Sequence, residues 1–308
     1  MEEKISVVIP NFNGERILAK NLPKVLDAFP KSEITVIDDA SLDNSVNLIE
    51  KKFKEIKLIK NKKNLGFARS VNRGVEESEG RYVILLNSDV SPKKINLGIL
   101  MNHFKDPSVF AVGFLDISHE GGKLHKRGRG GAVFQKGFLY HFALKTIDKE
   151  TLWVSGGSGI FDKQKFLQLS GFDPVYAPFY WEDIDLSYRA AKKGYKVYFE
   201  PEAEVDHFHE EGAIKKTRSE SFINKVSYKN QFLFVWKNID DPFLIILHIF
   251  WLPYHFIKAL VALNLDFFYG FIWALIKLPT ITFSIDNSRN IVSDNEILSK
   301  FKNHQNAG

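Results

Sequence analysis

The stretch Tyr82–Val90 constrains the fold more than any other, because five largely apolar residues run directly into a short polar cluster. Such a run, rich in β-branched residues, is typical of a strand buried on both faces, and these strands belong to parallel sheets with helices on either side. Asp89 follows at the carboxyl end of the strand, where open α/β sheets bind their ligands. It is therefore placed to hold a metal or a polar substrate. Alternatively, Asn87, Ser88 and Asp89 cap the next turn.

Strands and helices alternate at short intervals over residues 1–90. Apolar periodicity and turn residues predict strands at 5–9, 33–37 and 56–59, and helices over 16–29, up to 53 and over 67–77. This alternation predicts an α/β fold, with a mostly parallel twisted sheet built from right-handed crossovers and helices on both faces. The patterns G-x-G-x-x-G and G-x-x-x-x-G-K-[ST] are both absent, so a bound phosphate must be held in another way.

Two carboxylates, Asp38 and Asp39, stand at the carboxyl end of the second predicted strand. Side chains there are suited to accept hydrogen bonds from a base or a ribose. The alternative is an Asx-turn followed by a helix N-cap, which explains Ser41 or Asp43 better than it explains the Asp pair.

The chain after residue 90 is predicted to form a helix over 95–104 and strands at 109–114 and 195–199. Glu120–Gly131 reads as a glycine-rich basic loop that suits an anionic ligand, although solvated surface loops have the same composition. Glu182 and Asp183 fall in the first turn of a helix, where acids complement the helix dipole, and two aromatic residues before them favour a pocket wall. Val205–His209 places two histidines in a loop, a weak signal for zinc.

The composition is that of a globular protein of 308 residues, with a net charge of +5 and a pI near 9.0. This basic excess favours anionic partners such as phosphates or an acidic membrane face, and it is too small to indicate nucleic acid. The absence of cysteine excludes disulfides, thiolate metal sites and cysteine nucleophiles, and fits a reducing compartment. The amino terminus has no signal-peptide pattern, so we expect the protein on the cytoplasmic side.

The character of the chain changes after residue 212. A basic segment leads into two mostly apolar and aromatic runs, Phe243–Leu263 and Leu265–Leu278. The first is interrupted by polar residues and proline, and the second is shorter than the roughly 20 residues of a membrane span. They are predicted to form amphipathic helices in the membrane interface, or else helices packed on the α/β domain or a partner subunit. Residues 284–308 are polar and are predicted to form a loosely ordered end.

With these pieces in place, the sequence resembles the family 2 glycosyltransferases, inverting enzymes of GT-A fold. It looks closest to the branch of rhamnosyltransferases and other cell-surface polysaccharide enzymes. The resemblance covers roughly residues 4 to 212 and depends on an ordered set of individually weak motifs. They are Val7–Gly14, Val36–Ser45, Asn64–Ala68 with Asn72 and Gly74, Leu85–Val90, Ser155–Ile160 and Trp181–Leu186.

The resemblance implies a role for each matching residue. Asp183 would be the general base, next to Glu182 in the same motif. Asp89 is similar to the last acid of the DxD motif, which binds Mg²⁺ or Mn²⁺ on the donor diphosphate, and His207 matches a histidine that completes the metal shell in some members. This chain has Asn87 where the first acid often stands. The implied nucleotide site comprises Pro10, Asn11, Asn13, Asp38, Asp39, Asn64, Gly66, Asn72 and Asn87, and the implied donor or acceptor pocket comprises Gly156, Gly157 and Trp181.

The expected protein is a transferase that moves a sugar from a dTDP- or UDP-type donor to a lipid-linked or polysaccharide acceptor, peripherally bound to the inner face of the membrane. Its expected domains are a catalytic domain at 1–212, with a nucleotide half at 1–90 and an acceptor half at 91–212, then a membrane-associating region at 213–283 and a polar tail. Two alternatives are a polyprenyl-phosphate glycosyltransferase and a nucleotide-sugar-binding scaffold without turnover.

Overall fold

The computed structural model describes residues 3–208, 219–282 and 290–302, and a nine-stranded sheet forms the centre of this part of the chain. Its strands are β1 (Ile5–Asn11), β2 (Glu33–Asp38), β3 (Lys57–Lys60), β4 (Tyr82–Leu86), β5 (Val90–Lys94), β6 (Val109–Glu120), β7 (Lys123–Arg127), β10 (Ser158–Asp162) and β11 (Lys196–His207). A separate hairpin contains β8 (Gly130–Gln135) and β9 (Phe138–Ala143).

Helices follow most of the strands. They are α1 (Glu15–Ala28), α2 (Ser45–Lys52), α3 (Phe67–Glu77), α4 (Leu97–His103), α5 (Lys163–Gln168), α6 (Glu182–Lys192), α7 (Glu220–Asn238), α8 (Pro242–Val261), α9 (Leu265–Thr282) and α10 (Asp294–Ser299), with a 3-10 turn at Pro174–Tyr176.

The sheet is buried on both faces, as the apolar runs predict. Alternate residues of β1 point to opposite sides, so that Val7 and Ile9 pack with α1, α2 and α4. Val8 packs with α3, α5 and α6 on the other side. Each fully buried Val or Ile side chain contributes roughly 1.5–3 kcal/mol of hydrophobic free energy. This two-sided packing fixes the strand ends that carry Asp38 and Asp89.

The strand order is β3-β2-β1-β4-β10-β6-β11-β5, with β7 paired to β6. The first four strands are parallel, as predicted, whereas β10 is antiparallel to both of its neighbours and β5 is antiparallel to β11. The sheet is therefore mixed. In the register of β11, His207 lies opposite Val90 of β5 and Ser118 of β6. This register brings the end of β11 next to the turn after β4.

Two predicted loops are strands. Most of Glu120–Gly131 forms β7 and the start of β8, because β7 pairs antiparallel with the end of β6. His207, predicted in a loop, ends β11, which continues beyond the predicted strand through a register shift between Glu200 and Glu204. The shift accommodates Pro201, which cannot donate a ladder hydrogen bond. His209 lies outside the described residues.

The end of the described chain is packed, so the prediction of a loosely ordered tail is wrong for residues 290–302. Ile297, Leu298 and Phe301 are buried in the same cluster as α7. Asp294 is fully buried, where it accepts a hydrogen bond from the Tyr188 hydroxyl and pairs with Lys192 at 2.7 Å. These contacts attach α10 to α6.

The helices α8 and α9 carry a large exposed apolar surface. Among the described residues, α8 is the one helix long and apolar enough to cross a membrane by length and composition, with a mean hydropathy of 1.7. It packs along one edge, where Leu244 and Ala259 are buried. The exposed members of this surface are Phe243, Ile246, Ile249, Phe250, Ile257, Leu260, Val261, Leu265 and Ile276.

Candidate active site

The turn after β4 is held in place from two neighbouring elements. The backbone N–H of Asn87 donates to the carbonyl of Gly157 at 3.0 Å, and Asn21 of α1 donates from its side chain to the carbonyl of Ser88 at 2.8 Å. Gly157 approaches the Asn87 side chain so closely that an added Cβ would lie 2.3 Å from the amide nitrogen. The glycine is therefore required by the contact, and Asp89 emerges from a rigid turn.

Asp89, His207 and Asp116 form a chain of polar contacts. The Nε2 atom of His207 lies 3.5 Å from Oδ1 of Asp89, and its Nδ1 atom lies 2.7 Å from Oδ2 of Asp116. Burial alone would lower the pKa of His207, but the hydrogen bonds to Asp116 and Asp89 outweigh it and raise the pKa to about 9. At neutral pH the ring is therefore protonated, held by Asp116 on one side and facing Asp89 on the other, and a cation at Nε2 would displace the proton there.

The Asp89–His207 pair fits a divalent cation. A carboxylate oxygen and an imidazole nitrogen are both ordinary ligands, and the second ring nitrogen of a metal-binding histidine is usually held by a carboxylate, as Asp116 holds it here. Among the described residues, no group of three or more His, Cys, Asp or Glu side chains is arranged to hold a metal ion. Mg²⁺ and Mn²⁺ sites that also use substrate phosphates and water need few protein ligands, so this donor set is sufficient for a site shared with a diphosphate.

Asp183 lies in the first turn of α6 and faces the Gly156 backbone. Its carboxylate accepts a hydrogen bond from the N–H of Ile184 at 2.8 Å, and the backbone of Gly156 lies close enough to lower its pKa. Burial outweighs these effects and raises the pKa of Asp183 above its usual range. Since Gly156 and Gly157 are consecutive, one short segment lies next to both Asp183 and the turn that carries Asp89.

Glu182, which precedes Asp183 in α6, lines a cleft of about 210 Å³, whereas Asp183 itself is not among the lining residues. The Glu182 side chain is buried, and its Oε2 atom has no hydrogen-bond partner among the described residues. Burial, followed by the charge of Asp183, raises the pKa of Glu182 above its usual range. The opposite wall of the cleft is the start of α3, with Gly66, Phe67 and Arg69, and Lys277 of α9 completes it.

Trp181 and Tyr180 precede α6 in left-handed backbone conformations, with φ of 78° and 70°. Such conformations are costly for large side chains and persist where the surroundings impose them. The Trp181 ring is buried against His141 and Phe234, at centroid distances of 5.3 and 5.2 Å. Trp181, predicted in the substrate pocket, therefore packs in the core, while Tyr180 is exposed.

The predicted nucleotide residues gather at the ends of β1 and β2. The carboxylate of Asp38 accepts from the Asn11 amide at 2.9 Å and from the Ser41 N–H at 3.0 Å. The Asx-turn forms at Asp43, which accepts from the Ser45 N–H at 3.0 Å. Asp39 accepts from the Asn61 side chain and from the N–H groups of Leu65 and Gly66, each at 2.8 Å. The Asp38 and Asp39 carboxylates therefore shape the loops around the site.

The other predicted nucleotide residues have varied surroundings. Pro10 lies in β1 next to Asn11, whose Oδ1 atom is buried without a partner among the described residues. Asn13 accepts from the Leu42 N–H at 2.7 Å, and Asn64 accepts from the Gly66 N–H at 3.1 Å. Asn72 both donates to and accepts from the Phe172 backbone, at 2.8 and 2.9 Å, so its amide joins α3 to the segment that follows α5.

Sequence reasoning missed two sets of residues near the site. One is Asp116, which the register of β6 and β11 brings to His207. The other is on α7: Asn230 donates to the carbonyls of Tyr176, Phe179 and Tyr180 at 2.8–2.9 Å, and Lys229 donates to that of Ala177. Helix α7 thus holds the loop that leads to Asp183. The sequence feature that could have revealed Asp116 is an acidic residue within a mostly apolar strand.

Comparisons with known proteins identify the family of the chain. The profile of the family described as "Glycosyl transferase family 2" matches residues 6–168. A poly(ribitol-phosphate) beta-N-acetylglucosaminyltransferase, TarP of Staphylococcus aureus, is 33% identical over 146 residues, covering 44% of this chain and 42% of the relative. A cholesterol galactosyltransferase of Borreliella burgdorferi is 34% identical over 105 residues, covering 33% of this chain and 29% of the relative. The chain spans less than half the length of these relatives.

Solved glycosyltransferases of GT-A fold share the architecture. The structure of GalNAc-T7 with UDP, GalNAc and Mn²⁺ has a TM-score of 0.62 at 19% identity and covers 78% of this chain and 48% of the other. The structure of S. aureus TarS 1-349 with UDP-GlcNAc has a TM-score of 0.58 at 16% identity and covers 92% of this chain and 82% of the other. At these identities the likeness establishes the fold, which is the predicted GT-A fold.

Proposed function

The chain belongs to glycosyl transferase family 2, and on that basis we propose that it transfers a sugar, with inversion, from a dTDP- or UDP-type donor to a lipid-linked or polysaccharide acceptor of the cell envelope. The observation that carries this proposal is the position of the segment at Gly156 and Gly157. It lies next to Asp183 on one side and contacts the Asn87–Asp89 turn on the other, which supports a site with Asp183 as the base and Asp89 as a metal ligand.

Asp183 has the properties of the base. An inverting transfer needs a carboxylate that takes the acceptor hydroxyl proton as the oxygen attacks the anomeric carbon, and this contributes roughly 10²- to 10⁴-fold to the rate. A pKa raised by burial makes the carboxylate a better proton acceptor than a solvated one. The cleft beside Asp183 gives the acceptor a place to bind, and the unpartnered Glu182 oxygen there is suited to a hydrogen bond with a second acceptor hydroxyl.

Asp89 and His207 would hold a divalent cation on the donor diphosphate. Bound there, Mg²⁺ or Mn²⁺ would neutralise the charge that develops on the leaving nucleoside diphosphate. The chain itself keeps His207 oriented through Asp116, and it supplies the Asp38 and Asp39 loops for the nucleoside. Mn²⁺ is present in the GalNAc-T7 structure, which supports the choice of cation.

The exposed apolar surface of α8 and α9 supports peripheral association with the inner face of the cell membrane. Interfacial helices bury such a face at the boundary of headgroups and acyl chains. An acceptor carried by a membrane lipid would then be presented near the cleft, which Lys277 of α9 completes.

The proposal is tested by incubating the protein with dTDP- and UDP-sugars, Mg²⁺ or Mn²⁺ and cell-envelope acceptors, and detecting product by mass spectrometry. Asp183→Asn should lower kcat by roughly 10²- to 10⁴-fold because it removes the base. Asp89→Ala should abolish metal-dependent turnover. Asp27→Asn, on the exposed side of α1, is the matched control. Donor binding without any product would favour a scaffold, and wild-type turnover in both site variants would refute the mechanism.

A further inference from the structure

A second cavity, of about 410 Å³, lies between the β8–β9 hairpin and helices α7, α8 and α9. It shares no lining residue with the cleft beside Asp183. Tyr228 and Gln231 of α7 line it, whereas Lys229 and Asn230 of the same helix hold the loop that leads to Asp183. The cavity is therefore a separate site, on a different face of α7.

Positive charge in this cavity has no acidic counterpart. Lys136, Lys258 and His255 line it, and the lining includes no Asp or Glu. Neither lysine has an ion pair with a carboxylate in the part of the chain that the structure describes. His255 is anchored by a 2.7 Å hydrogen bond to the Lys136 carbonyl. Burial lowers the pKa of His255, so its ring is neutral at physiological pH and the positive charge comes from Lys136 and Lys258. Two lysines without an acidic partner favour an anionic ligand.

The backbone of Lys136 is fixed by the turn at the hairpin tip. Lys136 and Gly137 have φ of 47° and 79°, the two positive values of a two-residue turn of type I′. An added Cβ on Gly137 would lie 2.9 Å from the backbone of His248, so the tip is pressed against α8. The Lys136 ammonium lies 5.3 Å from the centre of the Tyr254 ring.

Three tyrosines add hydrogen-bond donors to the cavity. The Tyr228 hydroxyl accepts from the Asn264 amide at 2.9 Å, which leaves its own proton available to a ligand. Burial, followed by the nearby Tyr254 and Tyr228, raises the pKa of Tyr140, so its hydroxyl stays protonated. Phenol donors next to ammonium groups suit the oxygen atoms of a phosphate.

The surface around the cavity is apolar. On α8, the helix that carries Lys258, the residues Ile257, Leu260 and Val261 are exposed, at 62%, 64% and 81%. A free phosphate would gain nothing from these side chains, whereas a lipid would place its acyl chains along them and its headgroup among the cations. We propose that this cavity binds the phosphate-bearing headgroup of an anionic membrane lipid. The proposal rests on the membrane association proposed above and is independent of the transferase chemistry.

The test is sedimentation of the full chain with vesicles of phosphatidylcholine alone and with phosphatidylglycerol added. Lys258→Ala should lower the affinity for the anionic vesicles by roughly fivefold, and Lys136→Ala combined with Lys258→Ala by roughly tenfold or more, at physiological salt. Lys24→Ala is the matched control, because it removes an exposed lysine of α1, outside both the cavity and the apolar surface of α8 and α9. It should change the affinity less than twofold.

Three results would overturn the proposal. They are an equal loss in Lys24→Ala, which would indicate general electrostatic attraction; equal binding of the wild type to both kinds of vesicle; and unchanged binding of the double variant. A thermal shift with UDP, measured on each variant, verifies that the nucleotide half is folded. Since vesicle binding is measured apart from sugar transfer, either proposal can fail while the other stands.

Discussion

Asp183 illustrates how a residue can be costly to the fold and useful to the reaction. Its pKa is raised because the charged form is buried, so the folded chain binds this proton more tightly than the unfolded chain does. The contribution of the group to the free energy of unfolding is therefore favourable at low pH and is lost as the pH rises through the raised pKa. The carboxylate is ionised for catalysis only above that pKa.

The raised pKa of Asp183 predicts how kcat depends on pH. The acid limb of kcat should lie clearly above the pKa of about 4 of a free Asp, because protonated Asp183 cannot accept the hydroxyl proton. Asp183→Asn should raise the melting temperature at neutral pH while it lowers kcat, since it removes a buried charge. A pH–rate profile and a thermal melt measure the two effects, with Asp27→Asn as the control. An acid limb at the pKa of a free Asp would contradict the assignment.

A second prediction at this scale concerns Asp116, which touches His207 and not the proposed cation. Asp116→Asn should weaken Mn²⁺ binding in the presence of UDP by roughly 10- to 100-fold, because the imidazole loses the carboxylate that orients it. Calorimetric titration of Mn²⁺ measures this directly, without turnover. Binding as tight as in the wild type would show that His207 is oriented otherwise or is not a ligand.

The sequence alone identified Asp89, Asp183 and His207 as candidates, and the structure places Asp89 and His207 in contact. It could not reveal Asp116, because the contact depends on the pairing of β6 with β11 across 91 residues of chain. The sequence also could not show whether Trp181 lies in the core or in the wall of a pocket. An aromatic side chain before an acidic helix start is equally common in a core, and only packing against His141 and Phe234 decides the case.

At the level of elements, apolar periodicity predicted the parallel strands and their helices well, and α3 has the predicted bounds. The prediction failed where pairing outweighs local preference. Lysine disfavours strands, yet Lys123–Arg127 forms one because it pairs antiparallel with the end of β6. Similarly, the extension of β11 through Pro201 depends on a bulge that local sequence does not show.

Helix α7 gives the element-scale prediction. Asn230 is fully buried and donates to three carbonyls of the loop before Asp183, so Asn230→Ala leaves those acceptors unpaired at a cost of roughly 1–3 kcal/mol of stability. A displaced loop should lower kcat by roughly tenfold or more, because base placement is sensitive to shifts of about 1 Å. UDP affinity should stay unchanged, since the nucleotide loops lie on other elements. Kinetics and calorimetry separate the two.

Asn224→Ala is the matched control for α7, because Asn224 is exposed on the same helix. It should leave both kcat and stability near wild type. If Asn230→Ala weakened UDP binding as much as it lowered kcat, α7 would be acting on the whole domain and not on the base.

At the scale of the whole molecule, the C-terminal region is part of the catalytic body. Helix α7 holds the loop before Asp183, α9 supplies Lys277 to the cleft, and α10 ties Asp294 to Tyr188 of α6. The basic and aromatic composition predicted a separate membrane-associating region here. The sequence could not reveal the contacts with the first two hundred residues, because they join residues far apart in the chain. Deleting the region would therefore disturb the site together with any membrane contact.

Membrane association is accordingly tested by substitution at exposed positions. Ile246→Ser, Ile249→Ser and Phe250→Ser together should shift the protein from the membrane to the soluble fraction, because these side chains are 61–71% exposed and support no internal packing. The melting temperature should change little, since surface substitutions usually fall within about 0.5 kcal/mol. Leu124→Ser with Ile147→Ser, at 65% and 76% exposure, removes apolar surface elsewhere and should leave the distribution unchanged. A triple variant that remains with the membrane would place the contact on another surface, and one that melts early would show that α8 instead packs against protein.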